Sequence, residues 1–524
     1  MKNFIISSKI LLALFIQLFF YQTSIANNVY LKPRVIVTAD PELDDNNSLI
    51  RFLLYSSDMQ VEGLVYASSQ FHWKGDGKGT KFMVPGREYT RYGLNLCPCE
   101  SYRWKKDERF IHEAVEAYEK VYNNLIIHHK GYPTPAYLKS KIKYGNIEFE
   151  GDFSKNTEGS ELIKDAILDT KPGPLYITAW GGASTIARAL KSIEDSLTNR
   201  EDWTIIKKRI SSKVILLLSG DQDNTHASYI LPHWPAMKYK QFRNGPNYGY
   251  GAQLVANNEN APFLTSIWMN EQILSKGPLG KIYRTWGDGK QMVKNDPFDY
   301  FGLDGYSNEQ LKAMGYIVWM PKQDKGSWLG EGDTGTFMNL LDNGLNAIQD
   351  GFPGGWGGRY YQPNPATDIN PFSNDTSKVK DLVISASMLK KMNEAKDDLT
   401  VFPNFFPAAQ IDFATRMQWS VTNSYKNANH APIITANSSI KVKANSTVHL
   451  NARVIEPDGD KYEVRLWQFS NSKKTPRLII QDSVNLHTSI KIPANINSNE
   501  SLFLVVEVKD KKQLTSYKII KIDL

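Results

Sequence analysis

A chain of 524 residues exceeds what one hydrophobic core normally serves, and 41% apolar with 12% aromatic side chains is ample for folding into two globular domains. Its 62 basic and 55 acidic side chains give a formal charge of +7 on a mixed surface, with no long basic runs that would track a phosphate backbone, so nucleic acid is set aside as a partner.

The first 26 residues, MKNFIISSKILLALFIQLFFYQTSIA, carry Lys2 and Lys9, then an apolar run over 10–20, then Ser24, Ile25 and Ala26 as a small-residue cleavage site. Residues 1–26 read as a secretory signal peptide. The apolar run is short for a membrane span and Gln17 interrupts it, no Cys stands near the cleavage point, and no later segment approaches transmembrane length. The expectation is an exported protein, periplasmic or extracellular, without a stable membrane anchor.

Residues 34–38 (RVIVT) form a short β-rich run, and residues 46–55 (NNSLIRFLLY) space Leu49, Ile50, Leu53 and Leu54 as on a helix. Between them Asp40, Glu42, Asp44 and Asp45 place four carboxylates in six residues. Charges that close repel unless a cation lies between them, and a hard divalent ion seeking oxygen ligands answers that need. Strand, acidic loop and helix is the crevice geometry of a doubly wound α/β sheet. For any single Asp here the competing reading is a helix cap.

Residues 61–67 (VEGLVYA) read as a second strand, and 103–129 contain a long helix. Residues 71–100 are rich in Gly, aromatic and basic side chains, as in a long loop over the site. Within it Cys97 and Cys99 flank Pro98, and their redox state is left open. Residues 213–218 (KVILLL) are apolar without a break, as in a buried parallel strand, followed by Ser219 to Asp223 and a helix from about Thr225. Near residue 428 the texture changes to short alternating runs, 446–454, 462–467 and 502–508, separated by turn residues such as Pro457, Asp458, Gly459 and Asp460, as in a β-sandwich.

The stretch from Asp40 to Asp45 reads DPxxDD after a strand and resembles the signature of nucleoside hydrolases. Two further segments match in order: LYITAWGGASTIA at 175–187 and EGDT at 331–334. The similarity is closer to an exported branch, nucleoside hydrolase-like proteins described as cellulose-binding, through Gln222-Asp223, GGWGGRY at 354–360 and FATRMQW at 413–419. These motifs cover nearly the whole mature chain. They imply an α/β nucleoside hydrolase-like doubly wound sheet over 30–427 and a C-terminal Ig-like β-sandwich over 428–524.

The resemblance implies a calcium site held by Asp40, Asp45, Asp333 and the carbonyl of Trp180, with Asp44 on a sugar hydroxyl and Asp40 taking the proton of an attacking water. The chain departs from the family at Thr38, where the pattern DxDPxxDD begins with an acid, and at Gly332, where many members have His. The family's leaving-group acid therefore has no counterpart, and Glu331, Asp223 and His226 are the candidate replacements, with Asp221 and Asp223 otherwise helix caps. Trp356 and Arg359, within their glycines, are candidates to stack on a pyranose and meet its hydroxyls; Gln222 and Asp223 are further substrate-binding candidates, and Trp73, Trp180, Trp234 and Trp328 are further platforms, some of them core. The expected activity is hydrolysis of a glycosidic bond in a glycan or glycoside, with non-catalytic polysaccharide (cellulose) binding and N-ribosyl hydrolysis as alternatives. The expected partner is carbohydrate, and a homo-oligomer is open.

Overall fold

The strand at Arg34–Ala39 (β1) is buried along its whole length, and its side chains divide between two cores: Val35, Val37 and Ala39 face one, Ile36 the other. A computed structural model of the protein describes residues 31–90, 95–361, 402–470, 472–496 and 501–524. Residues 1–26, read from the sequence as a signal peptide, lie outside the described residues.

After β1 come a helix at Leu43–Tyr55 (α1), strand Gln60–Tyr66 (β2), helix Phe110–His128 (α2), strand Ile142–Tyr144 (β3), helix Glu158–Leu168 (α3), strand Leu175–Ala179 (β4), helix Ser184–Leu197 (α4), and strands Val214–Leu218 (β5) and Lys238–Tyr239 (β6). The six strands form one parallel sheet in the order β3-β2-β1-β4-β5-β6. α1 and α2 contribute to the core under one face, α3 and α4 to the core under the other. Parallel strands are covered on both sides, which is why 214–218 is apolar without alternation. The order reverses between β1 and β4, and ligands of such sheets bind in the crevice beyond the carboxyl ends of the strands at that reversal.

The helix expected from Thr225 is short. A wide turn at His226–Ile230 leads to Leu231–His233, where Pro232 removes an amide donor, and Pro235 follows. Residues 71–102 have a small aromatic core of their own, with Trp73 bridged to Tyr102 and Cys97 bonded to Cys99. Among the described residues no helix is long and apolar enough to cross a membrane.

A long helix at Phe406–Ser420 (α5) precedes the strand-rich C-terminal part. There Ser439–Lys441 (β7), Thr447–Asn451 (β8), Tyr462–Gln468 (β9), Ile479–Ile480 (β10), His487–Lys491 (β11), Leu502–Asp510 (β12) and Thr515–Asp523 (β13) form two sheets, β7-β13-β12-β9 and β8-β11-β10. Leu466, Leu504, Val506, Val508, Ile520 and Ile522 share a core with Leu450 and Ile490 of the second sheet. Phe469, Phe503, Val505, Tyr517 and Ile519 belong instead to the core under β1. The larger sheet thus buries one face within the sandwich and part of the other against the α/β part.

Candidate metal centre

Asp40 directly follows β1, and the chain turns back at once. Glu42 donates its N–H to the Asp40 carbonyl at 2.8 Å, α1 begins at Leu43, and Asp45 in its first turn accepts the N–H of Asp40 at 3.1 Å. No side chain caps α1, so the aspartates are not spent as caps. From the neighbouring strand β4, Trp180 donates its N–H to the Thr38 carbonyl at 2.8 Å, which puts the turn at 180–182 beside Asp40. From the late loop, Asp333 joins the same group, close enough that its charge bears on Asp45. The structure therefore brings together Asp40, Asp44, Asp45, Asp333 and Trp180.

Exposure grades the site from floor to mouth: Asp40 0%, Asp45 1%, Asp333 3% and Asp44 8%, with Glu42 and Tyr250 half-buried. Burial, and then the neighbouring carboxylates, hold Asp45, Asp333 and Glu42 well above the usual carboxylate range, and burial pushes Asp44 up to about 6. The nearest guanidinium acting on Glu42, that of Arg103, is bonded to Asp296 at 2.6 Å and to Glu88 at 3.3 Å. Buried carboxylates with so little compensating charge are costly without a cation. Oxygen atoms suited to one are present: Asp40 Oδ1 and Gln222 Oε1 are buried with no hydrogen-bond partner among the described residues. An oxygen-liganded divalent ion such as calcium is chemically suited to this donor set, in which Asp40, Asp45, Asp333 and the Trp180 carbonyl would hold it; the ligand atoms that lie within 4.8 Å of one another are those of Glu42, Asp44 and Asp45, and of Asp40, Glu42 and His72.

The remaining oxygen of Asp40, Oδ2, accepts from Ser69 Oγ and faces His72 Nδ1 at 3.0 Å. Asp44 accepts from Tyr250 Oη at 3.1 Å and from the Gly332 N–H at 3.1 Å. Gln222 donates through Nε2 to the Trp180 carbonyl and so steadies that carbonyl, while its Oε1 keeps no hydrogen-bond partner among the described residues.

Several expected roles are not what the geometry provides. Glu331 is fully buried and both its oxygens are taken, by Arg51, Tyr283 and Thr334, which leaves neither turned to a leaving group in the crevice. Asp223 accepts the N–H of Ser184 at 2.9 Å and of Thr225 at 3.0 Å; it ties the loop after β5 to the start of α4. Asp221 accepts the N–H groups of His226 and Ala227 and is the cap of that turn. His226 packs on Tyr239, and burial holds its pKa down to about 4, so the imidazolium needed for acid catalysis is absent at neutral pH. Trp356 is buried against Tyr517, with its carbonyl accepting from Tyr248 Oη, and is not a sugar platform. Arg359 donates to the Ser470 carbonyl at 3.0 Å and lies over Phe402 and Phe469; it joins the α/β part to the sandwich instead of facing a sugar. Trp73, Trp180, Trp234 and Trp328 are all fully buried core residues.

Two residues at the site carry no role in the sequence reading, His72 and Tyr250. His72 stands six residues beyond β2, in the crevice position that a parallel strand's carboxyl end supplies, and that placement is the signal that could have found it. Tyr250 lies in an irregular stretch far along the chain, and no periodicity marks it.

A family model described as cellulose-binding Sde182, nucleoside hydrolase-like domain, matches residues 34–360. The chain belongs to the Sde182 nucleoside hydrolase-like family. A second model, cellulose-binding protein Sde0182, C-terminal domain, matches residues 447–524. Among solved structures, the chain is similar to a nucleoside hydrolase-related hypothetical protein from Saccharophagus degradans that is associated with carbohydrate metabolism. That match has 21% identity and a TM-score of 0.65, and it covers 94% of this chain and 99% of that one. At that identity the likeness establishes the fold, an α/β nucleoside hydrolase-like sheet with strand-rich C-terminal sheets. No curated protein matches the chain. The Sde182 match spans the acidic loop, the turn at Trp180, the loop of Asp333 and the glycine-rich segment alike.

Proposed function

We propose that the protein is an exported hydrolase that cleaves a glycosidic bond in a glycan or glycoside at a calcium-dependent site. The observation that carries this reading is the convergence of Asp40, Asp44, Asp45 and Asp333 with the Trp180 carbonyl at the reversal between β1 and β4, with burial raising three of the four aspartates above their ordinary range. Calcium, when bound, would orient the water and the sugar hydroxyls and make the water a better nucleophile.

The chain's own groups do the rest. Asp40, fixed through Oδ2 by Ser69 and His72, keeps Oδ1 without a protein partner and is oriented to accept a proton from water. Asp44, clamped by Tyr250 and Gly332, is nearer the mouth and presents its carboxylate to a sugar hydroxyl. Ser69 and His72 act by holding Asp40 in one rotamer, which is pre-organisation rather than chemistry.

Non-catalytic binding of a polysaccharide such as cellulose is the second reading, and one observation favours it. Gly332 offers no side chain, Glu331 is locked in an ion pair and His226 is neutral, so three positions that could have supplied a leaving-group acid do not.

Purified mature wild-type protein and Asp45→Ala, both loaded with calcium, are compared on a panel of glycans for release of reducing ends and for polysaccharide pull-down. Turnover by wild type that Asp45→Ala loses, with pull-down intact in both, supports the hydrolase. Pull-down without turnover on any glycan by wild type supports the binding protein, and ribose release from inosine or uridine would overturn both.

A further inference from the structure

The second face of the larger sandwich sheet changes character along its length. Phe503, Val505 and Ile519 close it against the α/β part, but farther along β9, β12 and β13 the same face opens into a cleft of about 1270 Å3. Trp467 and Arg465 of β9 line one wall with Glu507 and Lys509 of β12, and Phe402, Pro407 and Ile411 at and before α5 line the other. None of the aspartates of the metal centre lines it. A volume at or beyond the upper end for small-molecule pockets suits several sugar rings in a row.

Trp467 is half-buried, and its indole Nε1 donates to Glu507 Oε2 at 2.9 Å, which fixes the ring plane; Phe402 is half-buried across from it. Fixed aromatic faces beside polar groups are what the C–H faces of pyranoses pack on. Charge narrows the ligand. Arg465, Lys473, Arg477 and Lys509 outnumber Glu259 and Glu507 in the cleft, and among the described residues none of the four cations lies within ion-pair distance of a carboxylate. Arg465 and Glu507 stand opposite each other in the ladder between β9 and β12, but the carboxylate is turned to the indole.

We infer that this cleft is a second carbohydrate site, remote from the acidic crevice, which holds an acidic glycan with Trp467 under a sugar ring and Arg465 and Lys509 on its carboxylates. It rests on the reading that the protein handles carbohydrate but not on catalysis. A uronate-bearing chain supplies both halves of the complement, pyranose faces for the aromatics and evenly spaced carboxylates for the cations.

The test is calorimetric titration of the full mature protein with a hexameric oligogalacturonate and with cellohexaose, and with a short single-stranded DNA of equal charge. The acidic hexamer is expected to bind at least tenfold more tightly than cellohexaose. Trp467→Ala and, separately, the double variant Arg465→Gln/Lys509→Gln should each weaken it at least tenfold, while Asp45→Ala leaves it within twofold. Arg465 is exposed and Lys509 partly so, and an unchanged melting temperature for the double variant separates lost binding from lost folding. Equal or tighter binding of cellohexaose, equal binding of the DNA, or indifference to both cleft variants overturns the proposal. Loss of binding in Asp45→Ala would move the ligand to the acidic crevice and overturn it too. Binding by the cleft with no turnover on any glycan would sink the hydrolase and leave the cleft standing.

Discussion

Gly332 donates its N–H to Asp44 Oδ2 at 3.1 Å, and a Cβ built on Gly332 would lie 2.2 Å from that same oxygen. The position matched to a histidine in the nucleoside hydrolase pattern therefore has no room for any side chain while Asp44 holds its place. Gly332→Ala should displace Asp44 and loosen its bond to Tyr250, weakening the binding of a sugar in the crevice by about tenfold or more with a smaller effect on calcium affinity and little change in melting temperature, because only one side chain at the crevice mouth must move. Titration of the two calcium-loaded proteins with a glycan that the wild type binds checks this; equal glycan affinities would mean that Asp44 is not held by this contact.

Arg51 and Glu331 form an ion pair with both side chains fully buried, and Arg51 also lies 3.8 Å over the ring of Phe413 and donates to Gln410 at 2.5 Å. The pair pins α1 to the late loop and to α5, so it fixes how Asp45 and Asp333 face each other. Arg51→Met leaves a buried carboxylate uncompensated and should cost roughly 3–5 kcal/mol, while the double variant Arg51→Met/Glu331→Leu recovers much of it. Denaturant unfolding of the single and double variants gives the coupling. Glycan turnover per folded molecule in the double variant should stay within a few-fold of wild type; its complete loss with normal stability would return Glu331 to a catalytic role.

Much of the fold was legible because its signals are local. β1, β2 and β5 announced themselves by unbroken or alternating apolar runs, and α1 by the spacing of Leu49, Ile50, Leu53 and Leu54. The gathering of Asp40, Asp45 and Asp333 with Trp180 followed from family resemblance, since 153 positions separate Asp333 from Trp180 (333 less 180) and no periodicity links them. What could not be read was which polar side chains would be consumed by structure. Arg51 and Glu331 lie 280 residues apart, so nothing in either neighbourhood says that one neutralises the other. The glycine-rich segment misled for a related reason: Gly354, at φ +112°, and Gly358, at φ +104°, do make close backbone approaches, but Gly354 toward Gly358 and Gly358 toward Arg243 and Gly245, not toward a sugar.

Trp356 in that segment packs edge-on to Tyr517 of β13, with ring centroids 6.3 Å apart. Trp356→Ala should remove a core anchor between the α/β part and the sandwich and cost roughly 3–5 kcal/mol. Polysaccharide pull-down by the protein that remains folded should match wild type; a selective loss of pull-down at unchanged stability would make Trp356 a sugar platform after all.

The acidic crevice sets the pH dependence of the metal-stripped protein. Burial raises Asp44 from an ordinary 3.8 to about 6, and Asp45, Asp333 and Glu42 move the same way. A carboxyl group whose pKa is higher in the folded chain than in the unfolded one binds more protons when folded. Its contribution is favourable below the unfolded value and is lost as pH rises through the folded value, here from about 4 to 6 for Asp44 and on upward for its neighbours. Stripped protein should therefore melt several degrees higher near pH 5 than Asp45→Ala would lead one to expect from its own pH profile, and should lose that margin by about pH 7.5. Calcium should act in the opposite sense, because it binds the ionised site: its stabilisation should be large near pH 7.5, shrink near pH 5 as protons compete, and be absent in Asp45→Ala at both. Thermal melts of wild type and variant with chelator or with calcium, at the two pH values, decide the matter; calcium-indifferent melting of wild type near pH 7.5 would remove the cation from the site and with it the hydrolytic role given to Asp40.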